Sequence, residues 1–381
     1  MAKREDLDKL LKQMVDKGAS DLHLRVPSKP MFRIDGSLVP QEEYDPTTPA
    51  SIEMVFEQIT TPEQREIFRQ NLELDFAYSL GGVARYRVSV MRQRGTLSIA
   101  FRMVPIKVFT IDELSLPEIT KELILKPRGL ILVTGPTGSG KSTTMAAMIN
   151  HLNENDARNV ITIEDPIEYL HENKKCLIAQ RDLGDDTTSF DIALKHALRH
   201  DPDVIVVGEM RDLATISTAI RAAETGHLVM GTLHTTDAAQ TIDRVIDIFP
   251  TGQQQQIRLQ LSQVLEAVLS QTLLPRIGGG RIGAFEIMIA NAAVRNLIRE
   301  EKTYELHSIM QLNSAAGMQT LDLSLTQLVK NGIVTQEEAT MKSSHPEKFE
   351  KMLKSPHILK GNGHKTSQAL NVIQMLDFRS K

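Results

Sequence analysis

The first hundred residues alternate between helical and strand-like patterns of apolar positions. Apolar residues recur at helical spacing between Leu7 and Met14, and Gly18 follows them, which predicts a first helix and its end. Helices are predicted between residues 50 and 70. Strands are predicted at five runs: 21–25, 31–34, 73–78, 84–90 and 97–103. A turn signal at 35–36 closes the second run, and glycines separate the last three. The pattern predicts a small mixed domain with an antiparallel meander.

From Gly129 onward, short apolar runs alternate with helical patterns. The run 129–135, GLILVTG, is bounded by glycines and is typical of a strand buried on both faces. Similar runs recur further along the chain: 160–163, 204–207 and 228–230. This alternation favours a parallel sheet in an α/β core. Beyond Thr251 the pattern is mostly helical, with one strand pair predicted at 269–274 and 282–287.

Length, charge and composition restrict the class of protein. The chain has 381 residues, a net charge of −4 and 41% hydrophobic residues, which allows two or three domains with sizeable cores. Only 4% of the residues are aromatic and none is Trp, so stacking of many nucleic-acid bases is disfavoured. Cys176 is the one cysteine, which excludes an internal disulfide and a zinc site built from cysteines. Without a signal peptide or a spanning run, we expect a cytoplasmic protein that meets a membrane only through partners.

A glycine-rich motif joins the strand predicted at 130–133 to the helix predicted over 143–152. Residues 135–144 read GPTGSGKSTT, a full match to G-x-x-x-x-G-K-[ST] in the strand-to-helix context that this motif requires. Contacts to a nucleotide are predicted for one run: Gly135, Pro136, Thr137, Gly138, Ser139, Gly140, Lys141, Ser142 and Thr143. Lys141 is expected to bridge the β- and γ-phosphates and Ser142 to ligate Mg²⁺. The cofactors predicted are therefore ATP and Mg²⁺.

Carboxylates follow two other predicted strands. The segment 203–212, DVIVVGEMRD, places Glu209 at the carboxyl edge of the sheet, where it can bind Mg²⁺ or orient a water molecule. The segment 164–169, EDPIEY, carries three carboxylates. It is either a solvated turn or a third wall of the site, with Glu164 as the water-activating base. The sequence leaves open which of the two glutamates is the general base.

Two pairs of histidines are candidates for chemistry. His227 and His234 lie at opposite ends of one predicted strand, which is poor geometry for a shared metal. His234 is instead a candidate contact for the γ-phosphate, with a structural role as the alternative. His196 and His200 have the i, i+4 spacing of a metal site on a helix, but no third ligand accompanies them. The sequence therefore favours no histidine metal site.

Four motifs in fixed order resemble those of one family, the secretion and pilus ATPases, and within it the PilT-type retraction ATPases of type IV pili. They are GPTGSGKSTT, EDPIEY, DPDVIVVGEMRD and ETGHLVMGTLHT, and the resemblance runs from Leu7 to about Ala339. The resemblance implies a RecA-like P-loop NTPase core of α/β class, a small PAS-like α+β domain before it and a mostly helical C-terminal part. It also implies a homohexameric ring with ATP between one core and a neighbour's N-terminal domain.

In this family the neighbouring N-terminal domain supplies arginine fingers, and the segment 85–95 holds four arginines. Arg85 and Arg87 share one face of a strand, and Arg92 and Arg94 share the other if the strand continues that far. Either pair is a candidate to neutralise transition-state charge. A solvated basic strand face is the alternative, and spacing does not decide between the pairs.

Two features favour retraction over extension or secretion. Extension and secretion members typically carry a four-cysteine zinc element, which Cys176 alone cannot build. The segment 293–300, AVRNLIRE, departs at one position from the AIRNLIRE signature associated with retraction. Its apolar residues are expected to pack in the core, while Arg295, Asn296 and Arg299 are expected to be available to other subunits or to the pilus base.

The resemblance implies an ATP-hydrolysing hexameric motor that drives pilin disassembly for twitching motility. The expected partners are copies of itself, the inner-membrane platform protein of the pilus and related pilus ATPases, and no nucleic acid. A PilU-type accessory ATPase and a nucleic-acid translocase are the alternatives. The predicted parts are these: a PAS-like domain over 1–105, a linker over 106–128, a RecA-like ATPase domain with a helical C-terminal part over 129–341, and a solvated basic tail over 342–381.

Overall fold

A computed structural model describes residues 4–34, 36–104 and 108–355 of the chain. Asp35 of the predicted turn, residues 105–107 of the predicted linker and residues 356–381 of the predicted tail lie outside the described residues. The chain divides into two compact units, one formed mainly by residues up to 107 and one mainly by those from 108 onward. The boundaries given above for the four parts stay predictions.

The N-terminal unit is a six-stranded antiparallel sheet with helices. Its elements are α1 (Arg4–Asp16), β1 (Asp21–Arg25), β2 (Met31–Ile34), β3 (Ser37–Pro40), α2 (Pro49–Ile59), α3 (Pro62–Asn71), β4 (Glu73–Leu80), β5 (Ala84–Gln93) and β6 (Thr96–Val104). The strand order is β3-β2-β1-β6-β5-β4, so the predicted meander of β4, β5 and β6 is present. Thr48 and Thr61 begin α2 and α3 with capping boxes followed by proline.

One face of this sheet is buried and the other is not. In β5, Tyr86, Val88 and Val90 are buried, whereas Arg87 between them is exposed. The buried side chains join Leu7 and the other apolar residues of α1 in one core. The strand β3 was not predicted, because it is an edge strand whose residues are all exposed and therefore lack an alternating pattern.

The second unit is a seven-stranded sheet with helices on both faces. Its strands are β7 (Gly129–Thr134), β8 (Asn159–Glu164), β9 (Leu177–Asp182), β10 (Val204–Val207), β11 (Leu228–Leu233), β12 (Leu265–Pro275) and β13 (Arg281–Ile289). Its helices are α4 (Ile119–Ile124), α5 (Lys141–Asn155), α6 (Phe190–Ala197), α7 (Leu213–Glu224), α8 (Ala238–Asp247), α9 (Thr251–Val264), α10 (Ala292–Arg299), α11 (Leu306–Leu312), α12 (Leu321–Lys330), α13 (Gln336–Lys342) and α14 (Pro346–Lys354).

The strand order is β13-β12-β7-β11-β10-β8-β9, with every neighbouring pair parallel except β12 with β13. Leu130 and Leu132 of β7 enter one core, and Ile131 and Val133 enter the core on the opposite face. Burial on both faces explains why these strands read as continuous apolar runs, and it confirms the predicted α/β class. β9 was missed because it is a partly exposed edge strand with a polar sequence, LIAQRD.

The predicted tail begins with a packed helix. The side chain of Phe349, in α14, is fully buried against Leu325 of α12 and Ala339 of α13. The interpretation of a solvated tail is therefore wrong for residues 346–354, because the apolar face of α14 covers this small core. Within the described residues, no helix has the length and apolar character needed to cross a membrane.

Candidate nucleotide site

Four predicted site segments meet at one edge of the parallel sheet. The strands β7, β11, β10 and β8 are consecutive neighbours, and their pairing puts Thr134 opposite Leu233 and Val207 opposite both Gly231 and Ile163. Parallel strands end at the same edge, so the segments that follow them lie side by side. From β7 to β8 these segments carry the glycine-rich motif, His234, Glu209 and Glu164.

The glycine-rich motif forms a loop that ends in the first turn of α5. Gly140 is the N-cap of α5, in a left-handed conformation, and Lys141 and Ser142 begin the helix. The Nζ atom of Lys141 donates hydrogen bonds to the carbonyl oxygens of Gly135, at 2.7 Å, and Pro136, at 3.2 Å. The loop therefore has the strand-to-helix form that directs backbone N–H groups and a helix N-terminus at phosphate.

Glu209 is held by two neighbours. The Nε2 atom of His234 lies 2.8 Å from Oε1 of Glu209, and Arg211 also donates to that oxygen. Burial alone would raise the pKa of Glu209, but the hydrogen bonds from Arg211 and His234 outweigh it and leave the pKa below its ordinary value. Glu209 is therefore an oriented anion at neutral pH, which suits it to a cation or to a water molecule.

Glu164 is oriented by polar neighbours of a different kind. Its Oε1 atom accepts hydrogen bonds from the Thr162 hydroxyl at 2.6 Å and from Nε2 of Gln180 at 3.1 Å. Thr162 precedes it on β8, and Gln180 lies on the adjacent edge strand β9. These two hydrogen bonds fix the Glu164 carboxylate at the sheet edge, whereas Asp165 and Glu168 of the same segment are exposed. The role of the segment as a wall of the nucleotide site stays a prediction.

The segments that carry the two glutamates approach closely at Gly208. Its N–H donates to the carbonyl oxygen of Ile163 at 2.7 Å. A Cβ atom at position 208 would lie 3.0 Å from that oxygen and 3.2 Å from Cα of Glu164. Only glycine fits this contact without displacement, so Gly208 allows Glu209 and Glu164 to follow adjacent strands at close range.

The four arginines of the other unit are separated by the geometry of β5. Arg85 and Arg87 share the outer face of the sheet, as predicted. The strand ends at Gln93, so Arg94 is not on the opposite strand face but in the following turn, with φ at 48°. Arg92 lies over the Phe68 ring, 6.0 Å from its centroid. Arg85 and Arg87 therefore lie on one face of the strand, whereas Arg92 and Arg94 do not share a face.

The three other candidate histidines, His227, His196 and His200, do not form a metal site. The ring of His227 contacts the carbonyl oxygen of Ala222 through Nδ1 at 2.9 Å, near the end of α7. Helix α6 ends at Ala197, so His196 and His200 do not share a helix. Among the described residues there is no group of three or more His, Cys, Asp or Glu that could hold a metal.

The segment 293–300, which resembles the retraction signature, forms most of α10 and the residue after it. One of its residues, Arg295, is placed differently from the prediction. Leu297 and Ile298 are buried, as expected. Arg295, expected to be available to partners, instead donates to the carbonyl oxygens of Ser262 and Gln263, both at 2.7 Å, near the end of α9. A cation at a helix C-terminus is a stabilising arrangement, so Arg295 has a role within the subunit. Asn296 and Arg299 are exposed.

Three residues that orient the two predicted glutamates were not themselves predicted: Arg211, Thr162 and Gln180. Arg211 could have been found from the sequence, because it lies two residues after Glu209 in the same acidic segment. No sequence pattern pointed to Thr162 or Gln180. Gln180 comes close to Glu164 only through the pairing of β8 with β9.

The glycine-rich motif, residues 135–144, is a phosphate-binding loop, or P-loop. A P-loop after a central parallel strand, with acidic residues at the ends of neighbouring strands, defines a P-loop NTPase with a RecA-like core. A small α+β unit precedes this core in the chain. The chain belongs to the Type II/IV secretion system protein family, whose model matches residues 2–341. It is similar to the type IV pilus retraction ATPase PilT of Pseudomonas aeruginosa, with 49% identity over 90% of this chain and 100% of that protein.

Two further similarities bear on function. The type IV pilus ATPase PilU of Pseudomonas aeruginosa is 40% identical over 88% of this chain and 87% of its own length. The crystal structure of the pilus retraction motor PilT with bound ADP aligns with a TM-score of 0.85 and 46% identity, covering 91% of this chain and 99% of that one. The chain is thus an ATPase of a family that works in pilus or secretion machines.

Proposed function

We propose that this chain is the ATP-hydrolysing motor that powers retraction of type IV pili. The observation that carries the proposal is the convergence of the P-loop, His234, Glu209 and Glu164 at one sheet edge. The higher identity to PilT, 49% against 40% to PilU, favours the primary motor over an accessory one. Hydrolysis would be coupled to removal of pilin from the pilus base at the cytoplasmic side of the membrane.

The residues of the core fit a nucleotide with its metal ion. Lys141 supplies a positive charge to the phosphates, and the residues from Gly135 to Thr143 supply backbone donors. The Ser142 hydroxyl and the Glu209 carboxylate are oxygen donors of the kind that Mg²⁺ binds. The ion, when bound, would neutralise phosphate charge, while Glu164 and Glu209 share the positioning of the ion and of the attacking water, one of them as the general base.

A ring of identical subunits completes the proposal. Arg85 and Arg87 lie on an outer sheet face of the N-terminal unit, so they are candidates to reach the nucleotide of a neighbouring subunit. The proposed partners are further copies of this chain, the platform protein at the inner membrane and related pilus ATPases. Asn296 and Arg299 are the exposed polar residues of α10 that we assign to contacts outside the subunit.

The proposal is tested with purified protein and in cells. Lys141→Ala should abolish ATP turnover with the circular dichroism spectrum unchanged, whereas Lys195→Ala, a change of an exposed lysine on α6, should leave turnover intact. Near-normal turnover in K141A would contradict the assignment of the site. Expression of the wild-type chain should restore twitching in a strain that lacks all retraction ATPases. Restoration only beside a second retraction ATPase would indicate an accessory motor.

A further inference from the structure

Strand β12 lies against the P-loop, and the side chain of Gln271 forms a hydrogen bond with it. Gln271 is buried, with 4% of its surface exposed, and its Nε2 atom donates a hydrogen bond to the carbonyl oxygen of Ser139 at 2.6 Å. The preceding residue, Ser270, pairs with Thr134, the last residue of β7, and their hydroxyl oxygens lie 2.8 Å apart. The strand is therefore in register with the base of the loop, and Gln271 is its contact with the middle of the loop.

This hydrogen bond sets the orientation of one peptide group. The Ser139–Gly140 peptide is trans, so its C=O and N–H point in opposite directions. Because the carbonyl of Ser139 is directed at Gln271, the N–H of Gly140 is directed away from β12. Gly140 is the N-cap of α5, within the segment of the motif whose N–H groups bind phosphate. A rotation of this peptide would remove that donor and present a carbonyl oxygen in its place.

The same residue also limits movement of the loop as a whole. A Cβ atom at Gly135 would lie 2.2 Å from the carbonyl oxygen of Gln271, and one at Gly140 would lie 3.2 Å from its Nε2 atom. Both ends of the loop therefore rest on Gln271. Within the described residues, Oε1 of Gln271 and Oγ of Ser139 are buried without hydrogen-bond partners. Gln271 therefore lies against the loop at Gly135, at Ser139 and at Gly140.

We propose that Gln271 is a positioning residue for phosphate binding, which holds the Ser139–Gly140 peptide so that the Gly140 N–H faces the nucleotide. The proposal rests on the nucleotide site proposed above and adds to it a residue from β12. Gln271 contacts the loop and not the nucleotide, so its effect acts through the donor that it orients. That donor contacts phosphate in both the bound and the transition state, so its loss should raise KM for ATP more than it lowers kcat.

The first test compares two glutamines that make the same kind of bond. Gln271→Leu removes the donor to Ser139, and Gln319→Leu removes a donor to the carbonyl oxygen of Phe285, at 2.9 Å, which lies outside the P-loop. Calorimetric titration with Mg·ADP should give a Kd about three- to tenfold higher for Q271L, the loss expected for one hydrogen bond. Q319L should bind like the wild type. Equal weakening in both variants would overturn the proposal, because it would indicate a general loss of structure.

A second variant gives a readout that a merely structural role would not change. In Gln271→Glu a protonated carboxyl can donate to the Ser139 carbonyl, whereas a carboxylate cannot. Burial raises the pKa of such a carboxyl into an accessible range. The ratio of the Kd of Q271E to that of the wild type should therefore fall toward one between pH 8 and about pH 5.5, while the ratio for Q271L stays constant.

The outcomes separate this proposal from the proposed function. A wild-type chain that does not bind Mg·ADP contradicts the nucleotide site itself. A wild-type chain that binds Mg·ADP, with Q271L and Q271E binding equally well at every pH, contradicts only the role of Gln271.

Discussion

The side chains of His234 and Glu209 join the ends of two neighbouring strands, with Nε2 of His234 lying 2.8 Å from Oε1 of Glu209. His234 follows β11 and Glu209 follows β10, and these strands are paired in parallel. Because the pKa of Glu209 is below its ordinary value, the carboxylate is the acceptor and Nε2 of His234 is the donor. This bond therefore links the segments that follow β10 and β11.

Loss of this donor should slow hydrolysis and spare nucleotide binding. We expect His234→Ala to lower kcat about tenfold or more, because a hydrogen bond to a charged group is worth about 1.5–3 kcal/mol. His234→Gln, which retains a side-chain N–H donor, should recover part of the rate. Steady-state ATP turnover measures kcat, and ADP titration measures binding. The exposed His200 provides the control, since His200→Ala should change neither quantity.

Glu164 should be required for the chemical step. Its carboxylate is fixed by Thr162 and Gln180, and removing a general base costs about 10² to 10⁴ in rate. Glu164→Gln should therefore lower kcat by that factor with the Kd for ADP nearly unchanged. Glu172→Gln makes the same chemical change at an exposed position outside the segment 164–169 and should be silent. Turnover of E164Q near the wild-type level would exclude Glu164 as the general base and leave Glu209 as the other candidate.

The sequence predicted the central elements well because their burial leaves a clear pattern. β10 is apolar and buried at all four positions, and its predicted bounds, 204–207, match the structure. β3 and β9 were not predicted, because an exposed or half-exposed edge strand has no regular apolar pattern. Contacts such as that of Gln271 with Ser139 join residues 132 positions apart and depend on strand order, which local pattern does not contain.

The close packing of β12 against the P-loop can be tested at Gly135, the first glycine of the motif. This residue has φ at 140°, and an added Cβ would lie 2.2 Å from the backbone oxygen of Gln271. Backbone atoms cannot give way as a flexible side chain can, so Gly135→Ala should destabilise the protein by about 1–3 kcal/mol and abolish ADP binding. Urea unfolding and ADP titration measure the two effects.

The control for this change is a glycine with open space around it. Gly252 lies in the first turn of α9 and has nothing within 4 Å of an added Cβ. Gly252→Ala should leave ADP binding unchanged and leave stability equal or slightly higher, because alanine favours the helix. If G135A bound ADP normally, the close packing of β12 on the loop would not hold in solution.

A buried glutamate should make stability depend on pH. Glu286 of β13 is 4% exposed, and its Oε1 atom accepts a hydrogen bond from the N–H of Ala238 at 2.8 Å, at the start of α8. Burial raises the pKa of Glu286 to about 7, against 4.5 for an ordinary glutamate. The folded state therefore keeps a proton that the unfolded state loses above pH 4.5. This contribution is complete below pH 4.5 and is lost as pH rises through about 7.

Glu286→Gln should remove that dependence. Relative to E286Q, the wild-type free energy of unfolding should fall by about 3 kcal/mol between pH 4.5 and pH 8. Urea unfolding followed by circular dichroism across this range gives the difference. Glu350→Gln, at an exposed position of α14, should not alter the pH profile of the wild type. A wild-type profile parallel to that of E286Q would show that Glu286 is ionised in the folded protein.

Mixed rings should show whether the outer-face arginines act on a neighbouring subunit. Arg87 is exposed on β5, opposite Arg102 of β6, in a unit separate from the P-loop. Arg87→Ala and Lys141→Ala should each abolish or severely lower turnover in pure form. In a mixed ring, a K141A subunit still offers its Arg87 to the intact P-loop of an R87A neighbour, so mixtures should turn over ATP faster than the weighted mean of the two pure variants.

The control mixture separates complementation from dilution. K141A mixed with the double variant K141A/R87A contains no intact P-loop and should stay inactive at every ratio. Arg92→Ala should behave like the wild type in pure and mixed rings, because Arg92 lies against Phe68 and away from the outer face. If mixtures of R87A with K141A only followed the weighted mean, Arg87 would act within its own subunit or not at all. Recovery with Arg85→Ala but not with Arg87→Ala would assign the role to Arg85.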